Sequence, residues 1–190
     1  AIVTRNPSFA TDHPPAQFNS QVVGSREWVR AFCSLGTNPL CTPTAIVRTC
    51  VQKRLGGYLP DLSHTADMEM WLRLGAHAPV GFIHAHEAFY RIHDHSMHKS
   101  YQGVKDTIQR EAVHDRFFED HCERLENLEA LSRRADHHLA ELALRDAQRG
   151  FENGEPTASR DLAALASQLD PRPWLEGGSA ARLLERLAGR

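Results

Sequence analysis

Gly56-Gly57-Tyr58, then Asp67-Met68-Glu69-Met70-Trp71-Leu72-Arg73, then Tyr90-Arg91-Ile92-His93 after an apolar run: this ordered set decides how the chain is read. The glycine pair closes a short helix over Cys50 to Leu55, because glycine reaches the backbone conformations that end helices. Tyr58 to Ala66 carries Pro60 and Asp61 and reads as a loop. Thr65 or Ala66 then stands just before a helix whose Met68, Trp71, Leu72 and Leu74 form an inward apolar stripe, with Gly75 and Pro79 ending it. Val80 to Ile83 reads as a buried strand, and the His-rich stretch beyond it runs to Tyr90 and a turn at Asp94.

Upstream of this set, Ala1-Ile2-Val3-Thr4 reads as a strand already under way, which suits a cut inside a domain. Asn6 to Pro15 is polar and proline-containing, a loop, and a helix follows near Ser25 to Phe32. Thr42-Pro43 leads into Thr44-Ala45-Ile46-Val47-Arg48, a brief apolar run that fits a buried strand. Downstream, charge density rises and apolar residues take helical spacing at Val104, Ile108 and Ala112, then at Phe117, Phe118, Leu125, Leu128 and Leu131. The spacing predicts two long helices, Gly103 to about Leu125 and Asn127 to Arg149, with Gly150 and Glu152-Asn153-Gly154-Glu155-Pro156 as the stop. Thr157 or Ser159 caps a further helix through Leu169, Asp170-Pro171-Arg172-Pro173 breaks it, and Ser179 to Leu187 makes a last short one. The chain therefore divides into a mixed α/β part over residues 1–102 and an α-helical extension over residues 103–190.

The 190 residues are enough for one ordinary domain with a helical appendage. With 22 Lys+Arg against 24 Asp+Glu, bulk electrostatics give no grip on nucleic acid, so no nucleic-acid partner is expected. Cys33, Cys41, Cys50 and Cys122 show no C-x-x-C spacing, which favours reduced thiols over a disulfide framework or a zinc site. No run approaches the ~20 apolar residues of a membrane span. The expectation is a cytoplasmic protein, peripheral at the inner face of the membrane if the helical extension makes a membrane-surface or protein contact.

In order and spacing, the stretch from about Asn38 to Ser100 resembles the C-terminal half of the catalytic domain of family 2 glycosyltransferases. The resemblance implies the acceptor half of a GT-A-type mixed α/β domain. No early strand followed by an Asp-x-Asp precedes it, so the nucleotide-binding half is expected to be missing and the chain to be an inactive fragment on its own. The reaction implied is inverting transfer of a sugar from a nucleoside-diphosphate-sugar donor to a hydroxyl on a glycan or lipid-linked acceptor, as in cell-surface polysaccharide synthesis. Asp67 falls where the family places its catalytic base, although Ala66 stands where members commonly carry a first acid. A carboxylate there can take the acceptor's proton, and the helix N-terminus favours its charge. The same carboxylate serves equally as first-turn charge for the helix.

The other assignments follow from the same resemblance. Gly57, Tyr58, Asp61 and His64 lie on the loop that shapes the family's acceptor pocket, with the glycines open to a plain helix-cap reading. Trp71 is either core packing or a sugar contact, and Arg73 a solvated or ion-paired helix residue. Arg91 and His93 match an Arg-x-His pattern, where Arg91 would neutralise phosphate charge and His93 approach a divalent cation, Mn2+ or Mg2+. A rival metal-binding reading rests on His84-x-His86 and His95-x-x-His98, but no cysteine completes such a set. The rival reading for the whole chain is a non-catalytic binding or assembly module with a helical interaction platform.

Overall fold

The computed structural model describes residues 2–4, 20–83, 88–91, 101–121 and 126–172, together with Leu183 and Leu187. Among these, helix dominates: α1 (Ser25–Cys33), α2 (Thr49–Leu55), α3 (Ala66–His77), α4 (Val104–His121), α5 (Leu128–Glu152) and α6 (Pro156–Leu169). Two two-stranded sheets complete the mixed architecture. β1 (Ile2–Thr4) pairs in parallel with β4 (Phe89–Arg91), joining residues far apart in sequence. β2 (Ser20–Val23) pairs antiparallel with β3 (Val80–Ile83), with Val23 opposite Val80 and Ser20 opposite Ile83.

The β2–β3 sheet is covered on one side only. Val80 and Phe82 pack against the core, the Phe82 ring lying 5.9 Å from that of Trp28. Val22 and Ile83 point outward, 74% and 57% exposed. Val80 to Ile83 is therefore half-buried rather than the buried strand expected, because a two-stranded antiparallel sheet has one face to offer a core and one to water.

The apolar run Thr44 to Arg48 is not a strand. Thr42–Thr44 forms a 3-10 turn in which both the Thr44 backbone N–H and its hydroxyl donate to the Cys41 carbonyl, so the backbone is satisfied locally and seeks no ladder. Ile46 ends up 99% exposed.

α3 is the centre of the first core. Met68 through Gly75 are all buried, so the helix is enclosed on every side rather than along one stripe. Gly75 does not end it. The helix runs on to His77; a Cβ at Gly75 would stand 2.1 Å from the Trp28 indole, and the missing side chain lets that ring lie against the helix. Trp28 also donates its indole N–H to the Trp71 carbonyl at 3.1 Å. Trp28, Val29, Phe32 and Cys33 of α1 join Val113, Phe117 and Phe118 of α4 and Ala135 of α5 in this core, so residues on both sides of position 102 build it together.

The second core joins α5 to α6 through Ala140, Ala143, Ala147 and Phe151 against Leu162, Ala163 and Ala166, and Leu183 and Leu187 close it. Alanine at the facing positions brings the helix axes near. Gly150, expected as a stop, is again a glycine of close approach: its Cβ would meet the Ser159 hydroxyl at 2.9 Å, and α5 continues to Glu152. α6 opens with Pro156 in its first turn and Glu155 at the cap position; Ser159 is buried and donates to the Glu155 carbonyl instead of capping. Of the last expected helix, only Leu183 and Leu187 are described, and the loop expected at Asn6 to Pro15 lies outside the described residues.

His114 on α4 is fully buried, and among the described residues neither ring nitrogen has a hydrogen-bond partner. Burial, reinforced by Arg110, pushes its pKa down to about 4. The unfolded chain therefore binds a proton near pH 6.5 that the folded chain refuses, so the stability His114 permits is whole above pH 6.5 and is lost as pH falls toward 4. The expected loss is about 2 kcal/mol by pH 5. Glu111, Asp115 and Asp136, raised by burial and by one another or neighbouring carboxylates, titrate with the opposite sign. Urea unfolding of wild type and His114→Leu at pH 7 and pH 5 isolates the histidine: the variant should be as stable or more so at pH 7 and lose about 2 kcal/mol less between the two. Equal pH dependence would refute the assignment.

Candidate functional site

The loop after α2 and the first turns of α3 are tied down from three directions. Gly56 adopts φ +91° and returns its N–H to the Gln52 carbonyl, closing α2 as the glycine pair implied. Arg73, two turns into α3, then reaches back to this turn and donates to the carbonyls of Leu55 at 2.6 Å and Gly57 at 2.8 Å. Its guanidinium meets Glu69 in a two-pronged pair, Nε to Oε1 at 2.7 Å and a terminal nitrogen to Oε2 at 2.9 Å. Glu69 is 1% exposed and Arg73 is buried beside it, so Arg73 is an interior ion-pair partner and not a solvated residue. A charge this deep has to be paired and hydrogen-bonded, and here every prong has a use.

The start of α3 is fastened to α4 and its approach. The Thr65 hydroxyl donates to the Gln109 carbonyl at 3.0 Å, and Ser63 shares a hydrogen bond with the Tyr101 hydroxyl at 3.1 Å. His64 stacks flat on Tyr101 with ring centroids 4.4 Å apart, and its Nε2 lies 3.4 Å from Asp106. Asp106 is itself paired with Arg110, which also donates to the Gly36 carbonyl. His64 is thus half-buried between loop and helix.

Asp67 stands in the first turn of α3, half-buried. The Met68 N–H donates to its Oδ1 at 2.8 Å, and the Thr42 hydroxyl, from the 3-10 turn, donates to its Oδ2 at 2.7 Å. Each carboxylate oxygen retains a further lone pair, so the group can still accept a proton or another hydrogen bond. The Thr42 contact was not legible beforehand: it joins residues 25 apart across a segment that reads as a strand. A Thr-Pro-Thr turn with a hydroxyl free to point away was the available signal.

The remaining sequence candidates are placed as follows. Gly57 offers its carbonyl to Arg73, Tyr58 is about half exposed and Asp61 is exposed. Among the described residues, the hydrogen bonds of Asp67 go to Thr42 and Met68, and none reaches Gly57, Tyr58, Asp61 or His64. Trp71 is 6% exposed and packs within the first core. Arg91 belongs to the backbone of β4, and His93 lies outside the described residues. So do His84, His86, His95 and His98 of the rival metal reading.

A divalent cation needs several converging His, Cys, Asp or Glu donors. Among the described residues no group of three or more such side chains gathers. Cys33, Cys41 and Cys50 are free thiols; burial pushes that of Cys33 up to about 12, which keeps it protonated and inert. No helix among the described residues is long and apolar enough to cross a membrane. No family model, no curated protein and no solved structure matches this chain.

Proposed function

We propose that the chain is the acceptor half of a GT-A-type, family 2 glycosyltransferase, in which Asp67 is the general base of an inverting sugar transfer. The observation that carries this reading is the state of Asp67: a carboxylate at a helix N-terminus, half-buried, held at both oxygens by Thr42 and the Met68 N–H. The two donors fix its orientation. As the acceptor oxygen attacks the anomeric carbon, its O–H bond breaks and the proton passes to Asp67, while the sugar–phosphate bond breaks and its electron pair leaves on the nucleoside diphosphate. One base-assisted displacement of this kind inverts the anomeric centre. Arg73 and Glu69 would keep the Gly56-Gly57-Tyr58 turn at a constant distance from α3, giving the acceptor a fixed wall. The resemblance implies a divalent cation on the donor side.

A second reading, an assembly module, draws on the outward Val22 and Ile83 of the β2–β3 sheet, an apolar pair of the kind that meets another protein surface. The test of the first reading is stereochemical. The protein as it occurs in its source is incubated with UDP-, GDP- and dTDP-linked hexoses and with soluble or lipid-linked sugars as acceptors, and the anomer formed is assigned by NMR. α-Linked donors should yield β-linked products. Products that keep the donor's configuration would overturn the mechanism.

A further inference from the structure

We propose that Thr42 is a positioning residue for the base Asp67, an inference that rests on the assignment of Asp67 just made. The 3-10 turn that presents Thr42 is held locally: Pro43 lies within it, the Ala45 N–H bonds back to the Thr42 carbonyl at 3.1 Å, and Thr44 is tied twice to Cys41. The turn leaves the Thr42 hydroxyl on the solvent side, and that hydroxyl spends its single proton on Asp67 Oδ2 at 2.7 Å. A carboxylate held only by the Met68 N–H would still swing about its own side-chain torsion, which for aspartate is a broad, roughly two-fold well. With Thr42 in place both oxygens are bound, and the carboxylate plane is set before any acceptor arrives.

The consequence is directional. Thr42 occupies one lone pair of Oδ2 and Met68 one lone pair of Oδ1, so the acceptor's proton has a restricted set of approach lines. Thr42 takes no proton itself: its hydroxyl donates to the carboxylate before and after transfer, and the acceptor's proton ends on Asp67. Because Thr42 and Asp67 are both reachable from solvent, an acceptor hydroxyl can meet the pair without opening the core.

The test uses the protein as it occurs in its source, with the hexose donor and acceptor pair that it turns over fastest. Thr42→Val removes the hydroxyl and keeps the shape, and Thr42→Ser keeps the hydroxyl. Thr42→Val should lower kcat about 10- to 100-fold with KM for the donor unchanged. Thr42→Ser should stay within about threefold of wild type, and Thr42→Val should cost nothing further in the Asp67→Asn background. Wild-type kcat in Thr42→Val alongside an inactive Asp67→Asn would overturn the proposal and leave the base standing. Equal losses in the Val and Ser variants would show that Thr42 acts by packing and would overturn it too. An active Asp67→Asn would remove the base assignment, and this inference with it.

Discussion

Arg73→Met is expected to destabilise the fold by about 3–5 kcal/mol, the cost of breaking a buried ion pair from one side. The substitution keeps most of the side-chain volume, so the loss is electrostatic. Glu69 is left 1% exposed with no countercharge, and the carbonyls of Leu55 and Gly57 lose their donors together. Pairing the change with Glu69→Met should recover part of the loss, since the stranded charge disappears, but not the part owed to the carbonyls. Arg73→Lys should fall between, because an ammonium cannot hold Glu69 with two prongs and reach two carbonyls at once. Chemical denaturation of wild type, Arg73→Met, Glu69→Met, the double variant and Arg73→Lys measures this directly. A single-mutant loss below about 1 kcal/mol, or a double mutant as unstable as the sum of the singles, would show that the clamp carries no such energy.

The long helices were legible because periodic apolar residues in a charged background leave little choice. α3 to α6 lie within a few residues of their expected spans, and the mixed α/β character of the first hundred residues follows from the same patterns. What was not legible depended on partners distant in sequence. Glycines at 75 and 150 read as stops, yet each is a seat for a side chain from another helix, Trp28 in one case and Ser159 in the other. The sequence shows a missing Cβ but not what lies opposite it. Arg73 reads as a solvated or ion-paired helix residue; the structure has it ion-paired and buried, with the Gly56-Gly57 turn as its further partner. β2 went unread for want of length, since four residues of which only Val23 is buried make no periodic signal. Of the candidate site, the position of Asp67 at a helix start was readable, and its fixation by Thr42 was not.

Asp67→Asn should lower turnover by about 10²–10⁴-fold, the range over which a positioned general base contributes. The amide keeps the size of the group; its oxygen can accept from the Met68 N–H while its NH2 donates to the Thr42 hydroxyl, so the helix start stays occupied. Stability should therefore change by no more than about 1 kcal/mol. This separates chemistry from capping: asparagine serves a helix start as well as aspartate does, so a residue that only caps keeps its rate, and a base loses it. If the variant instead unfolds at much lower denaturant while its residual folded fraction turns over normally, Asp67 belongs to the helix and not to the reaction.

The measurement that bears most directly on the central claim is a single turnover of the nucleoside-diphosphate-hexose bound to the protein as it occurs in its source, in wild type and Asp67→Asn, with donor affinity determined on the same samples. The account predicts donor binding unchanged within about twofold and a transfer step slowed at least about 100-fold in the variant. A transfer step as fast as wild type would contradict it.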